Sequence, residues 1–163
     1  MTTIKTDVEQ EPQCLPRWIY RLIVAGIIGV SFLLFVASLC LDCFFVSGSN
    51  PRAWSLGIGL LLMGWAGIFG GVFAWLANPL LFLTWVALAI RPVRWVAFVT
   101  GLMALGFALS FLLHERILTD EGGGRALITG YGLGYYCWAG AMVVAWLGSV
   151  VIVVLRPAPC RRG

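Results

Sequence analysis

Charge is what this sequence has least of. Lys, Arg, Asp and Glu make up 11% of its 163 residues, and there is a single histidine. Soluble domains carry about 25% charged residues. With 61% hydrophobic residues and a mean hydropathy of +0.96, the chain is neither a water-soluble globule nor a disordered tail. Its 11 basic residues, against 7 acidic ones, are spread too thinly to form a phosphate-binding face, so nucleic acid is not expected as a partner. The partner the composition does imply is the lipid bilayer.

A second absence narrows the function. Four long apolar runs (Leu22–Leu41, Trp54–Ile90, Trp95–Leu113 and Leu133–Leu155) contain no Asp, Glu, Lys, Arg or His. Proton pumps, ion-coupled transporters and carriers of charged substrates place ionisable groups inside the membrane. This chain has none there, which speaks against transport.

A helix needs about 20 apolar residues to cross a core of about 30 Å. Three of the runs suit one crossing each, whereas Trp54–Ile90 is too long for one. Gly70-Gly71 divides it, leaving 71–90 as the crossing and 54–70 as an extra apolar half-helix. The expected fold is therefore an all-α membrane protein with four transmembrane helices at about 22–41, 71–90, 95–113 and 133–155, the second element being broken or re-entrant. Residues 1–17 form an N-terminal tail, too mixed in charge for a cleaved signal, and 156–163 a basic C-terminal tail. With both termini in the cytoplasm, Lys5, Arg17, Arg21, Arg91, Arg94, Arg156, Arg161 and Arg162 lie inside, and Arg52, Arg116 and Arg125 outside. That bias obeys the positive-inside rule, which five crossings would not. Trp18, Trp54, Trp95 and Trp138 fall at span ends, where indoles favour the interface.

Small residues recur at helical spacing: Ala25/Gly29, Gly67/Gly71, Ala104/Ala108 and Cys137/Ala141/Ala145/Ser149. Such stripes let helices approach closely in lipid, within one bundle or in a homo-oligomer. Asn78-Pro79 is the polar break in the second span. Pro79 cannot donate to the Trp75 carbonyl, so a kink is expected. Asn78 either caps it or contacts a neighbouring helix or bound partner.

Two features invite chemistry. The external loop from His114 to Gly132 carries Glu115, Arg116, Asp120, Glu121 and Arg125. Its one histidine and three carboxylates have no metal-ligand spacing, so no metal or cofactor is expected. It reads as a flexible solvated loop or as a recognition loop, with Glu115, Asp120, Glu121 and Arg125 as candidate contacts. Cys40-Leu41-Asp42-Cys43 is a CxxC at the outer end of the first span. Four spans with that motif resemble the quinone-linked thiol oxidases that recharge periplasmic dithiol oxidases. The family's second external Cys pair and the arginine after its CxxC are missing, and only Cys137 is near. The resemblance makes Cys40, Cys43 and Cys137 candidate redox residues; Cys14 and Cys160 are expected in the cytoplasm.

Gly64-Trp65-Ala66-Gly67 followed by Phe73-Ala74-Trp75-Leu76-Ala77-Asn78-Pro79-Leu80-Leu81 resembles a segment of small multi-span bacterial inner-membrane proteins without an assigned activity. That likeness covers about a quarter of the chain and implies the bacterial inner membrane. In general character the chain is also similar to immunity proteins against membrane-acting toxins of type VI or contact-dependent secretion. The expected function is thus non-enzymatic: a membrane interaction protein with a protein partner, either a toxin or a subunit of a membrane complex. Thiol oxidoreductase is the enzyme alternative.

Overall fold

The computed structural model describes residues 16–48, 55–90, 93–118 and 124–154. The tail residues 1–15 and 155–163, with Cys14, Cys160 and most of the basic ends, lie outside the described residues, as do Arg52, Trp54, Arg91, Asp120 and Glu121.

Helix α1, Arg17–Leu39, starts after Pro16. The chain then forms strand β1, Phe44–Val46, and the short helix α2, Gly57–Met63, which tightens into a 3-10 turn over Gly64–Gly70. Gly71, at φ 84°, ends that turn. Its N–H bonds the Ile68 carbonyl and the Val72 N–H bonds the Gly67 carbonyl, the paired closure of a Schellman motif. A 3-10 turn at Ala74–Leu76 leads into α3, Ala77–Ala89. Helix α4 spans Arg94–Ser110 and is extended by a turn through Leu113. Strands β2, Arg116–Leu118, and β3, Arg125–Tyr131, precede helix α5, Leu133–Val154.

Three helices, Trp18–Leu39, Arg94–Leu113 and Leu133–Val154, are long and apolar enough to cross a membrane. The apolar stretch Ala74–Ala89 is shorter, roughly 24 Å at 1.5 Å per residue. Helices α1 and α4 run towards the sheet, whereas α3 and α5 run away from it. The far end is closed by Tyr20, Val24, Ala87, Leu88, Ala97 and Ile152, so the described chain starts and stops on the same side of the bundle. The middle is packed by Phe35, Leu81, Ala104, Ala108, Ala141, Met142 and Ala145.

Polar side chains tie the apolar helices together. The Ser31 hydroxyl donates to the Ala141 carbonyl at 2.7 Å and accepts from Trp85 Nε1 at 2.9 Å. Thr84 and Thr100 hydroxyls meet at 2.9 Å. Interhelical bonds of this kind in lipid are worth about 0.6 kcal/mol each on average.

Four expectations need correction. First, the protein is not all-α. The strands form an antiparallel sheet in the order β1-β3-β2, so Arg116–Leu118 and Arg125–Tyr131 of the expected free loop are paired strands, and residues 119–123 lie outside the described residues. Second, Pro79 makes no kink. It sits in the first turn of α3, where its N–H would have no intrahelical partner, and the Trp75 carbonyl accepts a backbone N–H at the end of the 3-10 turn that leads into the helix. The break in this stretch lies upstream, at Gly71–Phe73. Third, Gly67 and Gly71 form no packing stripe, because Gly71 is the left-handed stop of the preceding turn. Fourth, Ala25 is exposed, and a Cβ on Gly29 would meet nothing within 4 Å, so that face of α1 points outward. The small residues Ala141, Ala145 and Ser149 are buried, as are Ala104 and Ala108.

Candidate functional site

The segment joining α1 to β1 is held by its own backbone. The Leu41, Asp42 and Cys43 carbonyls accept from the N–H groups of Gly57, Gly134 and Gly132, at 3.1, 2.9 and 3.0 Å. Cys43 N–H in turn bonds the Ser55 carbonyl at 2.8 Å, and the Ser55 hydroxyl donates to Asp42 Oδ1 at 2.6 Å. The glycines are required by closeness. A Cβ on Gly132 would overlap the Asp42 carbonyl, one on Gly134 would stand 2.7 Å from the Leu41 oxygen, and one on Gly57 would overlap the Ser38 carbonyl. The CxxC is therefore the crossing point where β1, α2 and the start of α5 are tied to the end of α1.

Its thiols are unpaired and differ in burial. Cys40 is exposed, Cys43 is buried and Cys137 is half-buried, and all three are free. The Cys43 thiol donates weakly to the Leu41 carbonyl at 3.9 Å. Burial, then the Asp42 charge, then nearby Cys137 push it up to about 12. Nucleophilic thiols are partly exposed and electropositive in setting. Cys43 is neither.

Beneath this crossing lies a cavity of about 100 Å³. The end of α1, the 57–76 segment, α3, Phe111 and the first turns of α5 line it, and it is partly open to the surroundings. Its wall is mostly apolar and carries the aromatic rings of Phe44, Trp75, Phe111, Tyr135 and Trp138. Their rings pack in tilted contacts, Phe111–Tyr135 at 5.9 Å and Tyr135–Trp138 at 6.0 Å. The Tyr135 hydroxyl donates to the Ala108 carbonyl at 3.0 Å, and Trp75 Nε1 to the Leu61 carbonyl at 2.9 Å. Asn78, from the first turn of α3, enters the wall and accepts from Trp138 Nε1 at 2.8 Å.

The residues singled out from the sequence thus separate. Asn78 and Cys43 line the cavity. Glu115 and Arg125 are exposed on the hairpin, with Arg116 and Leu127 paired across β2 and β3. His114 is structural: its Nδ1 lies 3.0 Å from the Ser110 carbonyl and its Nε2 3.4 Å from the Gly71 carbonyl, pinning the end of α4 to the turn before α3. Among the described residues no group of His, Cys, Asp or Glu could hold a metal. Trp138 is not an interfacial anchor, since its indole turns inward to Asn78; Trp18 and Trp95 are exposed. Neither Tyr135 nor the Trp75 indole stood out as a lining group from residue type alone, because a lone aromatic in an apolar run has no pattern to mark it.

No family model matches the chain, and neither does any curated protein or solved structure.

Proposed function

We propose that the protein is a four-pass bacterial inner-membrane protein that works by binding another polypeptide, and that it is an immunity protein neutralising a membrane-acting toxin. Ala74–Ala89 is taken as the fourth crossing, made sufficient by a thinner bilayer at that helix. The Lys and Arg bias then sets both termini in the cytoplasm and the sheet outside.

One observation carries the binding reading. The outward face of the hairpin presents Arg116, Arg125, Leu127 and Thr129 together on paired strands. A rigid sheet held to the helices displays these side chains in fixed order, which suits recognition of a protein surface. The thiol oxidoreductase alternative has less support, because Cys43 is buried whereas Cys40 is exposed, and both thiols are free. A subunit or assembly factor of a membrane complex would use the same face.

The test is genetic. Deleting the gene in a strain that also carries the adjoining toxin gene is expected to cause self-intoxication. Complementation with the Arg125→Glu, Leu127→Asp double variant should fail although the protein reaches the membrane at normal level. Unchanged viability after deletion would overturn the immunity reading, and full rescue by the double variant would remove the sheet from it.

A further inference from the structure

Asn78 uses half of its amide. The Trp138 indole N–H can only donate, so it must face the amide oxygen, and this fixes which way the group is turned. Among the described residues nothing accepts from Nδ2. Asn78 is only 5% exposed and lines the cavity. Nδ2 is not among the fully enclosed polar atoms that lack a partner, so this open donor reaches accessible space and is free to meet an acceptor there.

The other polar groups on the wall are engaged. Tyr135, Trp75 and Ser38 all donate to backbone carbonyls. No Lys, Arg, His, Asp or Glu lines the space. Waters in such a cavity need about 2–4 polar partners each. One open donor against an aromatic wall suits a single acceptor oxygen on an apolar body better than a group of waters. A charged ligand would find no counter-ion.

We propose that this cavity binds a neutral, membrane-dissolved molecule through a carbonyl oxygen that accepts from Asn78 Nδ2, with its apolar body against Phe44, Leu60 and Trp75. Such a carbonyl has two natural sources: the ester of a lipid acyl chain, or a free small ketone. The inference stands apart from the toxin reading, since the cavity and the outward face of the hairpin share no residue.

The test uses the full chain in dodecyl maltoside, a detergent without a carbonyl, with tryptophan indoles labelled by ¹⁵N. The Trp75 and Trp138 signals are assigned by single Trp→Phe variants. Acetophenone should shift both signals saturably. Ethylbenzene, similar in size but without the oxygen, should need about tenfold more for half-saturation. Asn78→Leu should bring acetophenone to the ethylbenzene level. Leu60→Phe, which fills the space and leaves Asn78 in place, should abolish both shifts. Competition by diester but not diether phosphatidylcholine would make the lipid ester the source, and competition by neither would leave the free ketone. No saturable shift with acetophenone, or equal half-saturation by the two probes, overturns the proposal. Because that comparison uses the unaltered protein, it decides even if Asn78→Leu fails to fold.

Discussion

Trp138 donates its indole N–H to Asn78 Oδ1 at 2.8 Å, joining two helices that lie 60 residues apart in the chain. This is a side-chain bond between α3 and α5 at the end of the bundle nearest the sheet. It sets the Asn78 amide and closes one wall of the cavity. Removing either partner strands the other. Trp138→Phe and Asn78→Leu should each destabilise the protein by about 1–2 kcal/mol in a reversible detergent titration. The double variant should cost less than the sum, with a coupling of about 0.5–1.5 kcal/mol. Additive losses would mean that the bond contributes nothing of its own.

Glycine substitutions should divide sharply by position. Gly132→Ala would drive a methyl into the Asp42 carbonyl, and Gly134→Ala into the carbonyls of Leu41 and Asp42. Backbone cannot swing aside as a side chain can, so each should cost about 2 kcal/mol or more. Gly29→Ala meets open space on the outer face of α1. There it should be neutral or stabilising by up to about 1 kcal/mol, since alanine favours helix. Thermal melting of the three variants in one detergent checks the order. Equal melting temperatures would refute the tight crossing at Asp42.

The contrast between those glycines shows what could be read in advance. Uncharged apolar runs marked out the three long helices, because length and hydropathy are properties of about 20 residues at once, whereas the second run, expected as 71–90, becomes α-helix only at Ala77. The stripe at Ala141, Ala145 and Ser149 faces inward, whereas Ala25 and Gly29 have the same spacing and face outward. Spacing defines a face but not its direction. Strand β1 has three residues and pairs with β3, whose Tyr131 stands opposite Phe44 from far along the chain. No local pattern announces such a pairing. Asn78 stood out as a lone amide in an apolar run, but its partner Trp138 looked like an interfacial tryptophan.

The hairpin face can be tested apart from any toxin. Arg116 and Leu127 pair across the strands, with Ile117 opposite Ala126 on the inner face. Leu127→Asp changes an outward side chain and should leave the melting temperature within about 2 °C, as most surface substitutions lie within about 0.5 kcal/mol. Ile128→Asp puts a charge on the inner face, against the cluster around Phe44 and Tyr135. It should destabilise by about 3 kcal/mol or prevent folding. Equal sensitivity at 127 and 128 would mean that the sheet lacks two distinct faces.

Cys43 makes the last prediction, because its environment acts in one direction. Burial, the Asp42 carboxylate and Cys137 push the thiol from its ordinary 9.0 up to about 12. The folded state therefore holds the proton that the unfolded chain releases above pH 9. By linkage this contribution is fully present below pH 9 and is lost as pH rises towards 12. Stability of the natural protein should fall across that window more steeply than that of Cys43→Ala, which has no thiol to ionise. The difference in slope isolates Cys43 from the rest of the chain. The same burial should protect the thiol from reagents. At pH 8 a water-soluble maleimide should label exposed Cys40 within minutes and leave Cys43 unmodified until the protein is denatured. Parallel pH slopes for the two proteins, together with prompt labelling of Cys43, would return the CxxC to consideration as a redox pair.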